Sequence, residues 1–367
     1  MAPVTFSRCL YLLHLLTGFQ SHIYTTQVAL IDDGVELNNL DTYNGIVEAT
    51  GVSYCPPDGK SERPWHRSSG GHGTIMANMI VRINPWVSLY VMKLQDGPSN
   101  GDGGRTIYAE SAAKAIWGAI RRKVDIISIS WTVKQKITST STSSLTSATG
   151  NEAGRGKMTY EATAIKMLED AVEQAKMAKI LIFCSASDDI QAGGMDSLPY
   201  RQAPDYMFRI GAALDHGQRD PTVDDRARIN YYFPGNQVAE SWNRQSPSPV
   251  KYHSGSSVAT ALAAGLASLI IYCTIVVRSY HKVRTLAENP QVYNHFKEFV
   301  DLLKKRDKMK RAFDNIESDR WEDKKYLPVW DVFGPATEKI KKAEGEKKLD
   351  ELDALVRDLC SKITTRG

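Results

Sequence analysis

Apolar and polar positions alternate in blocks along the first 280 residues of the 367-residue chain. Residues 27–31 (QVALI) form an unbroken apolar run that ends in Asp-Asp-Gly, the pattern of a strand buried on both faces and meeting a turn. The period then changes. Ile75, Met76, Met79 and Ile80 recur at helical spacing across 73–83, and 87–94 reads again as a strand after Asn84-Pro85. Residues 106–123 repeat Ala and Ile at helical spacing and close on Arg121, Arg122 and Lys123, cations suited to the negative end of a helix. Strand 124–131 (VDIISISW), helix 160–179 and strand 180–185 (ILIFCS) continue the series. This alternation predicts an α/β fold, a parallel sheet with helices on both faces. Chemistry in such sheets gathers at the C-terminal strand ends.

Two stretches break the pattern. Residues 137–157 (ITSTSTSSLTSATGNEAGRGK) have no apolar period and read as an exposed loop, either a mobile insertion or a functional one. Residues 256–277 (SSVATALAAGLASLIIYCTIVV) are long and apolar enough to span a bilayer. Their many small residues equally suit a helix pressed against neighbouring backbone inside a soluble domain.

Charge divides the chain. Residues 281–367 carry 20 Lys+Arg and 17 Asp+Glu, about 43% charged, against about 18% in the residues before them. The body can bury a large core; the tail reads as a solvated helical extension. Within it, 298–313 is a Lys-rich amphipathic helix with Phe299, Leu302, Leu303, Met309 and Phe313 as apolar positions. Residues 326–333 (YLPVWDVF) form an apolar patch that could dock on the body. Residues 337–363 form a mixed-charge helix with a stripe of Ile340, Leu349, Leu352, Leu355, Val356 and Leu359, which packs on its own domain or binds a protein partner. The net charge of +4 is too small for this length to argue for nucleic acid or an anionic membrane.

Cys9, Cys55, Cys184, Cys273 and Cys360 show no C-x-x-C spacing and make no disulfide framework, which leans towards a reducing, intracellular setting. Residues 1–22 hold one Arg and a short apolar run over 9–16. They would direct secretion if they act as a signal peptide. Residues 1–26 are thus a leader of uncertain role.

Three fragments carry candidate chemistry. VALIDDGVELN places Asp32 at a strand end, GGHGTIMANMI places His72 at a helix start between glycines, and SGSSVATALAAG places Ser257 at the N-terminus of the small-residue helix. Each alone is weak. Together they supply a hydroxyl nucleophile, a base that can reach it and a carboxylate that fixes the base's tautomer. A helix N-terminus adds a backbone N–H near a developing oxyanion.

On these residues the sequence resembles the subtilase family of serine endopeptidases, from about Val28 to about Tyr272. The resemblance implies a three-layer subtilisin-like parallel sheet with helices on both faces, residues 27–280 as catalytic domain and 281–367 as a charged C-terminal helical extension. It also implies that 256–277 is the family's buried central helix rather than a membrane span. It implies Asp32, His72 and Ser257 as the triad of a serine-type endopeptidase acting on polypeptide substrates. By the same resemblance Ser130, Trp131 and Thr132 pair with extended substrate backbone, glycine spacing leaves room for that backbone, and Asp188 stands where an oxyanion-binding Asn is usual. The chain departs from the family pattern at Met76, Asn78, Ser187, Ser256 and Ala261. Gly150-Asn151-Glu152 looks like the usual oxyanion string but precedes its helix and strand, so it reads as a decoy. Asp33 is expected to cap a turn, and His253 to pack or to line the leaving-group side. No His/Cys/Asp cluster has transition-metal spacing and no cofactor is expected; calcium is common in the family without an assignable site here. Asp188, Ala261 and the lack of room for a propeptide before about Val28 support the alternative, a catalytically impaired subtilase fold serving as a protein-interaction or regulatory module.

Overall fold

The computed structural model describes residues 25–43, 45–59, 61–98, 105–133, 152–188, 197–224, 228–240, 250–285, 290–316 and 325–363, with backbone alone at 152–159, 283–285 and 290–295. The leader up to residue 24, most of the Thr/Ser-rich stretch and Gly150-Asn151 lie outside the described residues.

Seven strands form one sheet: β1 (Gln27–Asp32), β2 (Glu48–Ser53), β3 (Ser88–Lys93), β6 (Ile126–Ile129), β7 (Leu181–Ser185), β8 (Phe208–Ala213) and β9 (Tyr231–Pro234). They lie in the order β2-β3-β1-β6-β7-β8-β9, and every pairing between them is parallel. The chain runs from β1 to the β2 edge, returns through β3 and crosses to β6. The strand order therefore switches direction around β1, and the ends of β1 and β6 open on the crevice where such sheets carry their chemistry. Two small antiparallel pairs complete the strands: β4 (Asp96–Pro98) with β5 (Arg105–Ile107), and β10 (Val238–Ala239) with β11 (Tyr252–His253).

Strand alternation divides the core into two layers. Val28 and Leu30 of β1 join the cluster on one face, and Ala29 and Ile31 join that on the other. The first face is covered by α1 (His72–Ile83) and α4 (Ser256–Thr285), the second by α2 (Ala109–Arg122) and α3 (Glu152–Met177). This is the three-layer arrangement expected from the alternation, though α2 begins later than its apolar period and α3 earlier.

The stretch Ser256–Lys282 is long and apolar enough to cross a membrane, and its apolar window is wholly buried in this fold. Its small residues serve close packing. A Cβ on Gly265 would stand 2.9 Å from Ile83 Cβ and 3.1 Å from the Ile80 carbonyl oxygen, so α4 crosses α1 almost backbone to backbone.

The C-terminal region differs from the solvated extension its charge suggested. It contains α5 (Pro290–Leu303), α6 (Arg306–Asp314), α7 (Val329–Lys342) and α8 (Lys347–Cys360). The helix expected over 298–313 is two helices, parted by extended backbone at Lys305 (φ −94°, ψ 137°). The one expected over 337–363 is also two, parted at Gly345 (φ +55°). Phe296, Leu303, Phe313, Ile340 and Leu352 are fully buried in the same cluster as β1, α1 and α4. The apolar stripe that could have met a partner is thus used inside the fold. Phe313 reaches Phe183, Phe208, Tyr231 and Phe233, joining α6 to three adjacent strands. The 326–333 patch docks on the sheet edge: Tyr232 N–H donates to the Lys325 carbonyl and Leu327 N–H to the Tyr232 carbonyl. The β9 edge is covered there, which withholds it from pairing with other chains.

Candidate active site

The turn after β1 and the start of α1 are locked together by Asp33. Its carboxylate accepts Gly73 N–H at 2.7 Å, Gly70 N–H at 2.7 Å and Ser68 Oγ–H at 2.8 Å. Asp33 therefore satisfies a first-turn N–H of the helix from the neighbouring turn, at the end where a carboxylate is favoured. A Cβ on Gly73 would lie 2.2 Å from the Gly34 carbonyl oxygen and 2.8 Å from Asp33 Oδ1. Glycine is required there by the turn beneath, not to make room for a substrate.

This packing sets His72, the first residue of α1, over Asp32 at the end of β1. His72 Nδ1 lies 2.9 Å from Asp32 Oδ2 and 3.0 Å from Oδ1. Nδ1 thus carries the proton and, in the neutral ring, Nε2 is the acceptor. Asp32 is fully buried and also accepts Asp33 N–H at 2.8 Å and Arg105 Nη2–H at 3.0 Å. Burial by itself would raise the Asp32 pKa; the charges of His72 and Arg105 and the hydrogen bonds outweigh it and hold the carboxyl at about 2. For His72, burial disfavours the imidazolium, but the Asp32 carboxylate prevails and the pKa is raised.

Ser257 sits in the first turn of α4, partly exposed. Its Oγ–H donates to the Ser130 carbonyl at 3.2 Å, and Ser130 Oγ–H donates to the Ser257 carbonyl at 3.2 Å. The nucleophile candidate is thereby tied to the segment that follows β6. Among the hydrogen bonds of the described residues none joins Ser257 Oγ to His72, and Ser257 N–H has no acceptor.

Asp188 lies beside the same helix start but faces Ser256. Its Oδ2 accepts Ser256 N–H at 2.8 Å and its Oδ1 accepts Ser256 Oγ–H at 2.5 Å. Ser256 Oγ in turn accepts Ala212 N–H at 3.1 Å, which fastens the helix to β8. Desolvation pushes the Asp188 pKa up against these bonds, although the residue keeps an exposed face. Both carboxylate oxygens are acceptors here, an arrangement that anchors a helix rather than donating to an oxyanion.

Of the cleft segment, the Trp131 side chain lies in the core. The indole is 5% exposed and donates to the Ile31 carbonyl at 2.7 Å, so it is a core aromatic behind the site. Its backbone differs. The β6 ladder ends at Ile129 and pairing resumes at Val133 with Leu198, so Ser130, Trp131 and Thr132 lie outside the strand registers. A cavity of about 620 Å³ lined by Ile107, Tyr108, Val133 and Tyr160 adjoins this segment. Another of about 350 Å³, lined by Glu36, Gly71, Thr74 and His253, adjoins the start of α1. His253 pairs with Glu240 at 3.1 Å. Asn78, where the family pattern has glycine, ties α1 to the loop at 39–41: it accepts Asp41 N–H at 2.9 Å and donates to the Asn39 carbonyl at 3.0 Å.

A family model described as the subtilase family matches residues 25–286. The chain belongs to the subtilase family. It is accordingly a subtilisin-like serine endopeptidase by class, a hydrolase of peptide bonds. Among solved structures, a lanthipeptide protease is similar at 15% identity and TM-score 0.57, covering 91% of this chain and 94% of its own. The prenylagaramide maturation protease PagA is similar at 16% identity and TM-score 0.51, covering 88% and 98%. The protease domain of PatA, as a serine-to-alanine mutant, is similar at 16% identity and TM-score 0.50, covering 85% and 95%. Such identities establish a shared fold, and the first coverage reaches past residue 286 into the C-terminal helices. A search of curated proteins found no match.

Calcium is common among subtilases. Among the described residues no group of three or more His, Cys, Asp or Glu side chains is placed to hold a metal ion, and no step below is routed through one. Sequence reasoning missed Arg105, whose only signal was a lone cation in a Gly-rich stretch.

Proposed function

We propose that this subtilase cleaves peptide bonds through Asp32, His72 and Ser257 with an acyl-enzyme intermediate. One observation carries the reading: the buried Asp32–His72 pair stands at the end of β1, while Ser257 is bonded to the backbone that follows the neighbouring strand β6. In the reaction the Ser257 hydroxyl exchanges the Ser130 carbonyl for His72 Nε2; such hydrogen bonds often form only once substrate is bound. Ser257 Oγ attacks the peptide carbonyl as His72 takes its proton. Asp32 keeps the Nδ1–H in place and balances the imidazolium. His72 then protonates the leaving amine, and water repeats the sequence on the acyl-serine.

The Ser257 N–H, at a helix N-terminus and without an acceptor among the described residues, is the donor we assign to the oxyanion. Asp188 is assigned to holding Ser256, and so the helix start, in position. Polypeptide substrate would add a strand along the backbone of Ser130, Trp131 and Thr132, which lies outside the strand ladders.

The impaired-subtilase alternative, an interaction or regulatory module, draws on the bond that holds Ser257 Oγ at Ser130. Turnover of an unstructured polypeptide decides between them. Internal cleavage by the wild type, reduced on the order of 10⁴-fold or more in His72→Ala, supports the enzyme. A well-folded wild type that leaves such a substrate intact supports the alternative.

A further inference from the structure

We propose that Arg105 is a positioning residue that sets the protonation range of His72 through the Asp32 carboxylate the two share. This rests on the reading of His72 as the base.

Asp32 Oδ1 accepts from three groups at once, Asp33 N–H, His72 Nδ1–H and Arg105 Nη2–H, the last at 3.0 Å. Arg105 is held on its other side by Asp96, through Nε at 3.1 Å. The antiparallel β4–β5 register pairs Asp96 with Ile107 and Pro98 with Arg105, so the two side chains lie on one face of the ladder, diagonally across it. The guanidinium is therefore fixed between two carboxylates whose side chains are 0% and 8% exposed. It is a permanent charge, set in a planar fork that a carboxylate matches.

In an Asp–His pair alone, the carboxylate's whole field is available to stabilise imidazolium. Here the Asp32 carboxylate already shares its field with Arg105 before His72 gains a proton, so less of that field is left to stabilise imidazolium. The imidazole thus stays base-competent at lower pH than the same pair without the arginine. Among the described residues, Asp33 also faces His72 and pulls the other way, with Lys93 behind it. Lys93 donates to the Arg67 carbonyl at 2.6 Å and counters Asp33 in part. The arginine also lowers the tendency of His72 to protonate in the electrostatics of the site, consistent with its placement.

The test titrates the His72 ring in the full chain by NMR, alongside the acid limb of kcat/KM on a peptide. Arg105→Gln should move both midpoints upward by about one pH unit, and Arg105→Lys, which keeps the charge, should leave them near wild type. Asp96→Asn keeps an oxygen for Arg105 Nε but removes an anion, so it should give a smaller shift downward. This variant also serves if Arg105→Gln does not fold. Arg105→Gln with lower kcat/KM at every pH and an unmoved midpoint would mean that the arginine only braces the hairpin, and overturns the proposal. So would an Asp96→Asn midpoint that rises or stays. The NMR midpoint needs no turnover: shifts in the stated directions in a chain without peptidase activity support the coupling and remove only the catalytic reading.

Discussion

Asp188 grips Ser256 with both carboxylate oxygens, at 2.8 Å to the amide nitrogen and 2.5 Å to the hydroxyl, one residue before Ser257. In this chain Asp188 thereby fastens the helix that carries the nucleophile candidate.

Asp188→Ala should therefore act on stability. Loss of a cap costs about 1–2 kcal/mol, and the exposed face of Asp188 places it near the lower end. Urea denaturation measures this directly. A large fall in kcat with unchanged unfolding free energy would instead assign Asp188 to the oxyanion.

The Asp32–His72 pair should make stability depend on pH in two windows. His72 has a raised pKa, so its contribution is full below the ordinary imidazole value and fades as pH rises through the folded value. Asp32 is held at about 2, so its contribution is present above the ordinary carboxylate value and fades as pH falls towards about 2. Wild type should exceed His72→Ala in unfolding free energy by more at about pH 5 than at about pH 9. A difference that is constant across that range, read from denaturation midpoints, contradicts the pairing.

Gly73→Ala tests the turn that carries His72. Its Cβ would fall 2.2 Å from backbone oxygen, which cannot give way as a side chain can. A loss of about 3 kcal/mol is expected, at the upper end for overpacking. Thermal unfolding near the wild-type midpoint would show that the contact relaxes freely.

Phe313→Ala tests whether the C-terminal helices complete the core. The ring is fully buried among Phe183, Phe208, Tyr231 and Phe233, so its removal should cost about 3–5 kcal/mol. An effect below about 1 kcal/mol in chemical denaturation would describe a helix laid loosely on a self-sufficient domain.

Much of this architecture was legible because burial on both faces leaves a continuous apolar run, as in QVALID and LIFCS. The β2 edge was not: EATGVS alternates exposed and half-buried positions and contains few apolar side chains. Strand β9 is four residues ending in Pro234, too short to show a period. Asp32 and His72 stood out through their flanking turn and glycines. Arg105 did not, since its partner is 73 positions away and nothing local marks it. In the tail the helix stripes were legible, but frequent Lys and Glu made them read as a solvated appendage rather than as part of the core; composition averages over faces that packing separates. The register of ILIFCSASDD located Asp188 but not the direction of its carboxylate, which the neighbouring Ser256 decides.

That Ser257 is an activated nucleophile is tested most directly by covalent labelling with a fluorophosphonate probe. Intact-mass and peptide mapping of the folded wild type should find one adduct, on Ser257, lost in Ser257→Ala and strongly slowed in His72→Ala. Folded wild-type protein that takes up no label, or that is labelled at another residue, would contradict it.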